Sequence, residues 1–201
     1  MNFIKTLLGV FCISCTTGVK AQIPQKAEDI HPLLIGETLP NAKLVDNNGV
    51  ETTLVSNLKE QPTVLVFYRG GWCPYCNMQL SGLVKIEQDI VDLGYQIIAI
   101  SPDDYRNLQH TVEKDSIHYK LLSDPEGKLI SDVGIAYQTP LMIKGFVTAK
   151  GQKGKMAEII PVPTVMIVDK KGKILFEYIN PNYKERISGA MLLAVLKSIN
   201  I

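Results

Sequence analysis

Cys73 and Cys76 stand two residues apart in Trp72-Cys73-Pro74-Tyr75-Cys76, a spacing that suits reversible dithiol chemistry. One helical turn brings two such sulfurs near bonding distance. If the motif opens a helix, the unpaired N–H groups at its start stabilise a thiolate on Cys73 and lower its pKa below the free value of ~8.5. Cys76, one turn further in, is better shielded and suited to resolving a mixed disulfide. Pro74 fits a first turn, where its missing donor costs little.

Other uses of the motif fit less well. Structural zinc needs a second ligand pair, and His31, His110 and His118 are scattered without ligand spacing, so no metal is expected. Haem attachment needs a histidine after the second cysteine, where Asn77 stands. A purely structural bridge closing so short a loop would add little chain-entropy stabilisation. The redox-active pair itself is the only cofactor the residues call for. A scaffold that keeps the pair for stability alone, as a non-catalytic binding protein, is the reading from a different class.

The motif sits between elements that can position it. Thr63 to Tyr68 is a continuous apolar, β-branched run, the pattern of a strand buried on both faces. After Arg69-Gly70-Gly71 the period becomes helical, with Leu80, Leu83, Val84 and Val91 on one face and Gly94 as the stop. Gln96 to Ile100 reads as the next strand. Ser101-Pro102-Asp103-Asp104 reads as a helix start with Pro in the first turn, and Leu121-Leu122 as a strand before another helix start at Ser123 to Gly127. Asn48-Gly49 marks an N-terminal hairpin, and Asp169-Lys170-Lys171-Gly172 a second, antiparallel one between Thr164–Val168 and Lys173–Tyr178. Ile187 to Ile199 reads as a closing amphipathic helix. Between them, residues 133–158 mix apolar residues with Gly145, Gly151 and Gly154 and with Lys144, Lys150, Lys153 and Lys155, which reads as a surface insertion, part helix. Alternating strands and helices around a CxxC predict an α/β, thioredoxin-like three-layer fold: a central mixed β-sheet flanked by helices. In that fold Pro163, in Val162-Pro163-Thr164, falls where a cis proline faces the disulfide, and with Thr164 it is a candidate for holding substrate.

The 201 residues are one domain's length plus an extension, and 46% hydrophobic against 20% charged residues is an ordinary globular composition. A net charge of +1 gives no reason to expect nucleic acid or an anionic membrane as partner. Residues 1–21 read as a signal peptide: a basic start ending at Lys5, an apolar run from Thr6 to Thr17 shorter than the ~18 to 20 residues of a span, and Val19-Lys20-Ala21 before Gln22. The expected location is beyond the inner membrane, in the periplasm, with membrane attachment only through lipid on Cys15. Cys12 and Cys15 then leave with the segment, and the mature chain keeps Cys73 and Cys76 alone. An extended lead-in covers 22–35 and the fold proper 36–201.

Tyr68-Arg69-Gly70-Gly71-Trp72-Cys73-Pro74-Tyr75-Cys76-Asn77, then Ile97 to Asp103, Pro161 to Asp169, and Asn182-Tyr183 with Arg186, resemble the peroxiredoxin-like branch of the alkyl hydroperoxide reductase and thiol-specific antioxidant superfamily. The resemblance runs from about Gly36 to the C-terminus. It implies reduction of hydroperoxides or disulfides with electrons from a thioredoxin-like donor protein. Typical members carry a Thr three residues before the peroxidatic cysteine and an Arg in the final sheet. Laid on this chain, that cysteine falls at Cys76, the Thr position at Cys73 and the Arg position at Pro163. Two assignments follow: Cys73 attacks a disulfide and Cys76 resolves, or Cys76 is oxidised by peroxide and Cys73 condenses with it. Exposure is expected to favour Cys73 as the attacking thiol. Trp72 and Arg69 flank the pair as candidates for positioning substrate; Arg69 can supply positive charge in either scheme, although an arginine ending a strand is ordinarily a surface residue.

Overall fold

The computed structural model describes residues 22–149 and 158–199. The expected signal segment 1–21 with Cys12 and Cys15, and the insertion's Lys150, Gly151, Lys153, Gly154 and Lys155, lie outside the described residues. In chain order the elements are β1 (Lys43–Asp46), β2 (Glu51–Thr53), α1 (Leu54–Leu58), β3 (Thr63–Phe67), α2 (Pro74–Val84), α3 (Glu87–Asp92) and β4 (Gln96–Ser101). They continue with α4 (Tyr105–Asp115), β5 (Lys120–Ser123), α5 (Lys128–Asp132), β6 (Ala136–Gln138), α6 (Leu141–Ala149), β7 (Ile159–Pro161), β8 (Thr164–Val168), β9 (Ile174–Ile179) and α7 (Gly189–Ser198).

The expected mixed sheet is present, in the order β2-β1-β5-β4-β3-β8-β9. The central strands β3, β4 and β5 run parallel, while β8 lies antiparallel against β3 and both hairpins pair antiparallel. Because alternate residues of a strand face opposite ways, the sheet carries two apolar faces. Val64, Val66, Ile97, Ala99, Val165 and Ile167 pack with Leu80, Ile90, Leu108 and Leu192, and the two cysteines lie in this layer. Leu65, Phe67, Ile98, Ile100, Met166 and Val168 pack on the other side with Leu54, Leu58, Leu129 and Ile130. β3 is thus buried on both faces, as its unbroken apolar run demands.

Several local expectations are corrected. The helix after the motif breaks at Lys85–Ile86 into α2 and α3, which turns Val91 outward to 47% exposure instead of onto the core face. Pro102 lies ahead of α4, not in its first turn; the cap is Asp104, whose carboxylate accepts the Arg106 N–H, and Asp103 is buried. In the first hairpin turn only Gly49 takes positive φ, because Asp46 Oδ1 accepts the N–H groups of Asn48 and Val50 and shapes the turn itself.

The 133–158 stretch is more than a surface insertion. Val133, Ile135, Ala136 and Val147 are buried, and β6 pairs with β7 as a separate two-stranded sheet. Its glycines and lysines conceal a run whose apolar members alternate inward. The lead-in is extended, as expected, apart from a 3₁₀ turn at Ala27–Asp29, and it is laid across the core, with Ile23, Ile30 and Leu33 against the second apolar face. The Leu33 N–H bonds the Val133 carbonyl at 3.0 Å, beside Gly134, which holds φ +78°. A Cβ on Gly134 would land on the His31 carbonyl. Gly134→Ala should therefore lower stability by roughly 2 kcal/mol or more, through strain and loss of the lead-in's seat. Equilibrium urea unfolding of the variant checks this.

Candidate functional site

β3 ends at Phe67, and the chain must turn sharply to start α2 seven residues later. Gly70 allows the turn: its φ is +140°, and a Cβ there would strike the Trp72 indole nitrogen. The turn is then pinned from both sides. The Gly71 N–H donates to Asp103 Oδ2 at 2.7 Å, and the Gly71 carbonyl accepts from Asn77 Nδ2 at 2.9 Å. Asp103 reaches this point from the end of β4, parallel to β3 and one strand over.

Cys73 is the N-cap residue of α2 and Pro74 its first helical residue. The Cys73 carbonyl accepts from the N–H groups of Cys76 and Asn77 at 3.0 and 3.1 Å, so the two cysteines share the helix's first turn. Both are free thiols. Exposure does not distinguish them, contrary to expectation: Cys73 is 1% exposed and Cys76 0%. Both lie in the apolar layer against which Trp72 and Tyr75 pack.

Electrostatics separates the pair instead. A hydrogen bond from the Cys76 thiol, helped by the Arg69 charge, the Cys76 backbone N–H and more weakly Arg186, outweighs burial and lowers Cys73 to about 6. Cys76 moves the other way, well above an ordinary thiol, because it is desolvated, donates that hydrogen bond and faces the Cys73 charge. The stable state at neutral pH has one negative charge on Cys73 and the proton on Cys76.

Arg69 is not the surface residue its position suggested. It is 2% exposed, and its guanidinium carbon lies 4.9 Å from the Trp72 ring centroid and 4.4 Å from that of Tyr183. Aromatic faces on both sides hold the cation in place of a carboxylate. Trp72 in turn meets Phe146 of α6 edge-on, with centroids 6.1 Å apart. A cavity of about 420 Å³ opens beside it, lined by Trp72, Phe146, Asp103, Thr111 and His110 among others.

Trp72, Arg69, Cys73 and Cys76 are therefore brought together. Pro163 is buried one residue outside the Thr164–Phe67 pair of β8 and β3. Its peptide bond is trans, since the described residues contain no cis peptide, which corrects the expected cis proline. Thr164 turns its hydroxyl onto the Val162 carbonyl at 2.9 Å, a bond to the connection just ahead of β8 that leaves no hydrogen for a substrate.

Sequence reasoning did not single out Tyr183, Asp103 and Arg186 as site residues. Arg186 Nη2 lies 3.8 Å from Cys76 Sγ, and Arg186 Nε donates to Gln79 Oε1 at 2.9 Å. The signal available was the clustering of Asn182-Tyr183 with Arg186 just before the last helix, but nothing in the residue types separates this arginine from an exposed one.

The chain's residues 35–176 match the AhpC/TSA family model. The chain belongs to the AhpC/TSA family. Peroxiredoxin Bcp of Escherichia coli K12 is 26% identical over 117 residues, 58% of this chain and 74% of that protein. Among solved structures, reduced Prx3 of Vibrio vulnificus in complex with H2O2 superposes with TM-score 0.70 at 20% identity, covering 82% of this chain and 99% of that one. Peroxidoxin BcpB of Mycobacterium tuberculosis gives 0.64 at 21%, covering 83% and 98%. These likenesses match the thioredoxin-like sheet order described above. As an AhpC/TSA member the chain is a peroxiredoxin-type, thiol-dependent oxidoreductase.

The charge assignment has a direct readout. Alkylation of the reduced protein should modify Cys73 first, with a pH inflection near 6, and Cys76→Ala should move that inflection upward by removing the hydrogen bond to the thiolate. The stability of the reduced form should follow with a defined sign. Cys73 is depressed in the folded state, so its contribution is lost as pH falls through about 6 and is complete only above the unfolded value of ~8.5. Above ~8.5 the retained Cys76 proton acts in the opposite sense. Stability should therefore rise between pH 6 and ~8.5 and turn over beyond it, as denaturant midpoints across that range would show.

Proposed function

We propose that the protein reduces hydroperoxides through a Cys73/Cys76 dithiol–disulfide cycle in which Cys73 strikes first. The thiolate of Cys73 attacks the distal peroxide oxygen; the O–O bond breaks, the alkoxide or hydroxide leaves with the negative charge and takes a proton from solvent to become alcohol or water, and Cys73 becomes a sulfenic acid. Cys76 then condenses with it, forming the S–S bond and releasing water. A thioredoxin-like donor dithiol returns two electrons by exchange and regenerates both thiols.

The observation that carries this reading is that Cys73 is only 1% exposed, while the Cys76 hydrogen bond and the Arg69 charge pull its thiol down. A hydroperoxide needs only a path one small molecule wide, and its reaction places no protein surface on the sulfur. A folded protein's disulfide would have to come within bonding distance of a residue that is 1% exposed. Disulfide exchange on protein substrates remains the second reading, favoured by the thioredoxin-type placement of Cys73 at a helix N-cap. Export across the inner membrane to the periplasm is part of the proposal; its support is the basic, apolar and small-residue order of residues 1–21. No helix among the described residues is long and apolar enough to cross a membrane, and the proposal places any membrane attachment at lipid on Cys15.

Replacing each cysteine separates the schemes. Cys76→Ser should accumulate a sulfenic acid on Cys73 when treated with peroxide, and Cys73→Ser should lose turnover by at least about a hundredfold, the scale on which loss of an attacking nucleophile acts. Rapid oxidation of Cys76 in the Cys73→Ser variant, or faster turnover of a protein disulfide than of peroxide by the intact chain, would reverse the assignment.

A further inference from the structure

Once Cys73 has reacted, the chemistry moves to a sulfur that has every reason to keep its proton. Cys76 is fully buried, and condensation with a sulfenic acid requires it to become the nucleophile. Arg186 lies against it. This side chain is clamped through neutral acceptors: Nε to Gln79 Oε1 at 2.9 Å, and Nη1 to the carbonyls of Glu185, at 2.8 Å, and Tyr183. Gln79 belongs to α2, three residues after Cys76, so the clamp is built on the helix that carries the sulfur. Its Nη2 is directed at Cys76 Sγ, 3.8 Å away, and among the described residues no carboxylate pairs with the guanidinium. An arginine ordered by neutral groups keeps its full charge for the next anion to appear beside it.

Resting on the cycle proposed above, we propose that Arg186 is the catalytic residue of the resolving step, facing the negative charge that develops on Cys76 as its proton leaves. Before oxidation the Cys73 charge holds the proton on Cys76. Conversion of Cys73–S⁻ to neutral Cys73–SOH removes that charge and the acceptor it offered. The Cys76 proton then leaves with the sulfenic hydroxyl as water, the S–O bond breaks and the S–S bond forms, with no outside oxidant or reductant. Through this exchange the anion on Cys76 Sγ faces Arg186 Nη2. Arg69, held between Trp72 and Tyr183, remains the cation of the first step.

A single turnover with limiting hydrogen peroxide, quenched into a sulfenic-acid-trapping 1,3-dione and read by mass spectrometry, separates the two steps. Arg186→Gln should keep oxidation of Cys73 within about threefold of the parent, slow disulfide closure at least about tenfold, and raise the trapped Cys73 adduct accordingly, the scale of a lost charge-assisted hydrogen bond. Arg186→Lys should recover part of the closure rate. Gln79→Leu, which loosens the clamp and keeps the charge, should slow closure by a smaller factor, and it carries the test if Arg186→Gln does not fold. Closure at the parent rate in folded Arg186→Gln, or equal slowing of both steps, overturns the role of Arg186 alone. An adduct found first on Cys76 in the parent overturns the order of attack, and this proposal with it.

Discussion

A single negative charge shared by two buried sulfurs is the constraint on which the rest of the site depends. An isolated thiolate in an apolar layer would take a proton instead of staying ionised. Here a thiol donor, a helix start and two guanidinium groups from elsewhere in the chain converge on the same turn, so ionisation of one cysteine is secured by protonation of the other. The asymmetry comes from backbone position. Cys73 caps α2 while Cys76 sits inside it.

Holding that arrangement requires elements remote in sequence. β3 and β4 run parallel, so both deliver their C-terminal ends to the same edge, and Asp103 reaches the Gly71 peptide from there. α2 carries Gln79 outward to meet Arg186 from the segment before α7. Tyr183, packed edge-on against Tyr75, closes the other side of Arg69. The cysteine motif is local, but its charges come from three separate stretches of chain, each placed by the sheet.

How much of this was legible follows from range. The motif, the apolar run of β3, the turn at Asp169–Gly172 and the mixed sheet are properties of neighbouring residues, and they could be read directly. Val91 was misplaced because a helix break at Lys85–Ile86 leaves no mark in residue type. The insertion hid its buried Ile135 and Val147 behind glycine and lysine. Arg69 and Arg186 were opaque for a deeper reason: an arginine's burial is decided by what surrounds it in space. Stacked rings and neutral acceptors substitute for a carboxylate partner that a pattern search would have sought. Pro163 was recognised as part of the strand start, yet its trans bond belongs to the backbone context and not to the Val-Pro pair.

The seating of Arg69 between two aromatic faces reaches beyond catalysis. Mobile ions screen charges that water can reach, over a Debye length of about 8 Å at physiological salt, and act weakly on charges sealed from it. A guanidinium that is 2% exposed, next to a thiolate equally enclosed, makes an electrostatic pair insulated from the ionic strength around the protein. The intrinsic reactivity of the sulfur is thereby fixed by the fold. In the proposed cycle, sensitivity to salt is left to the encounter with the reductant in solvent, and the two halves come under separate physical control.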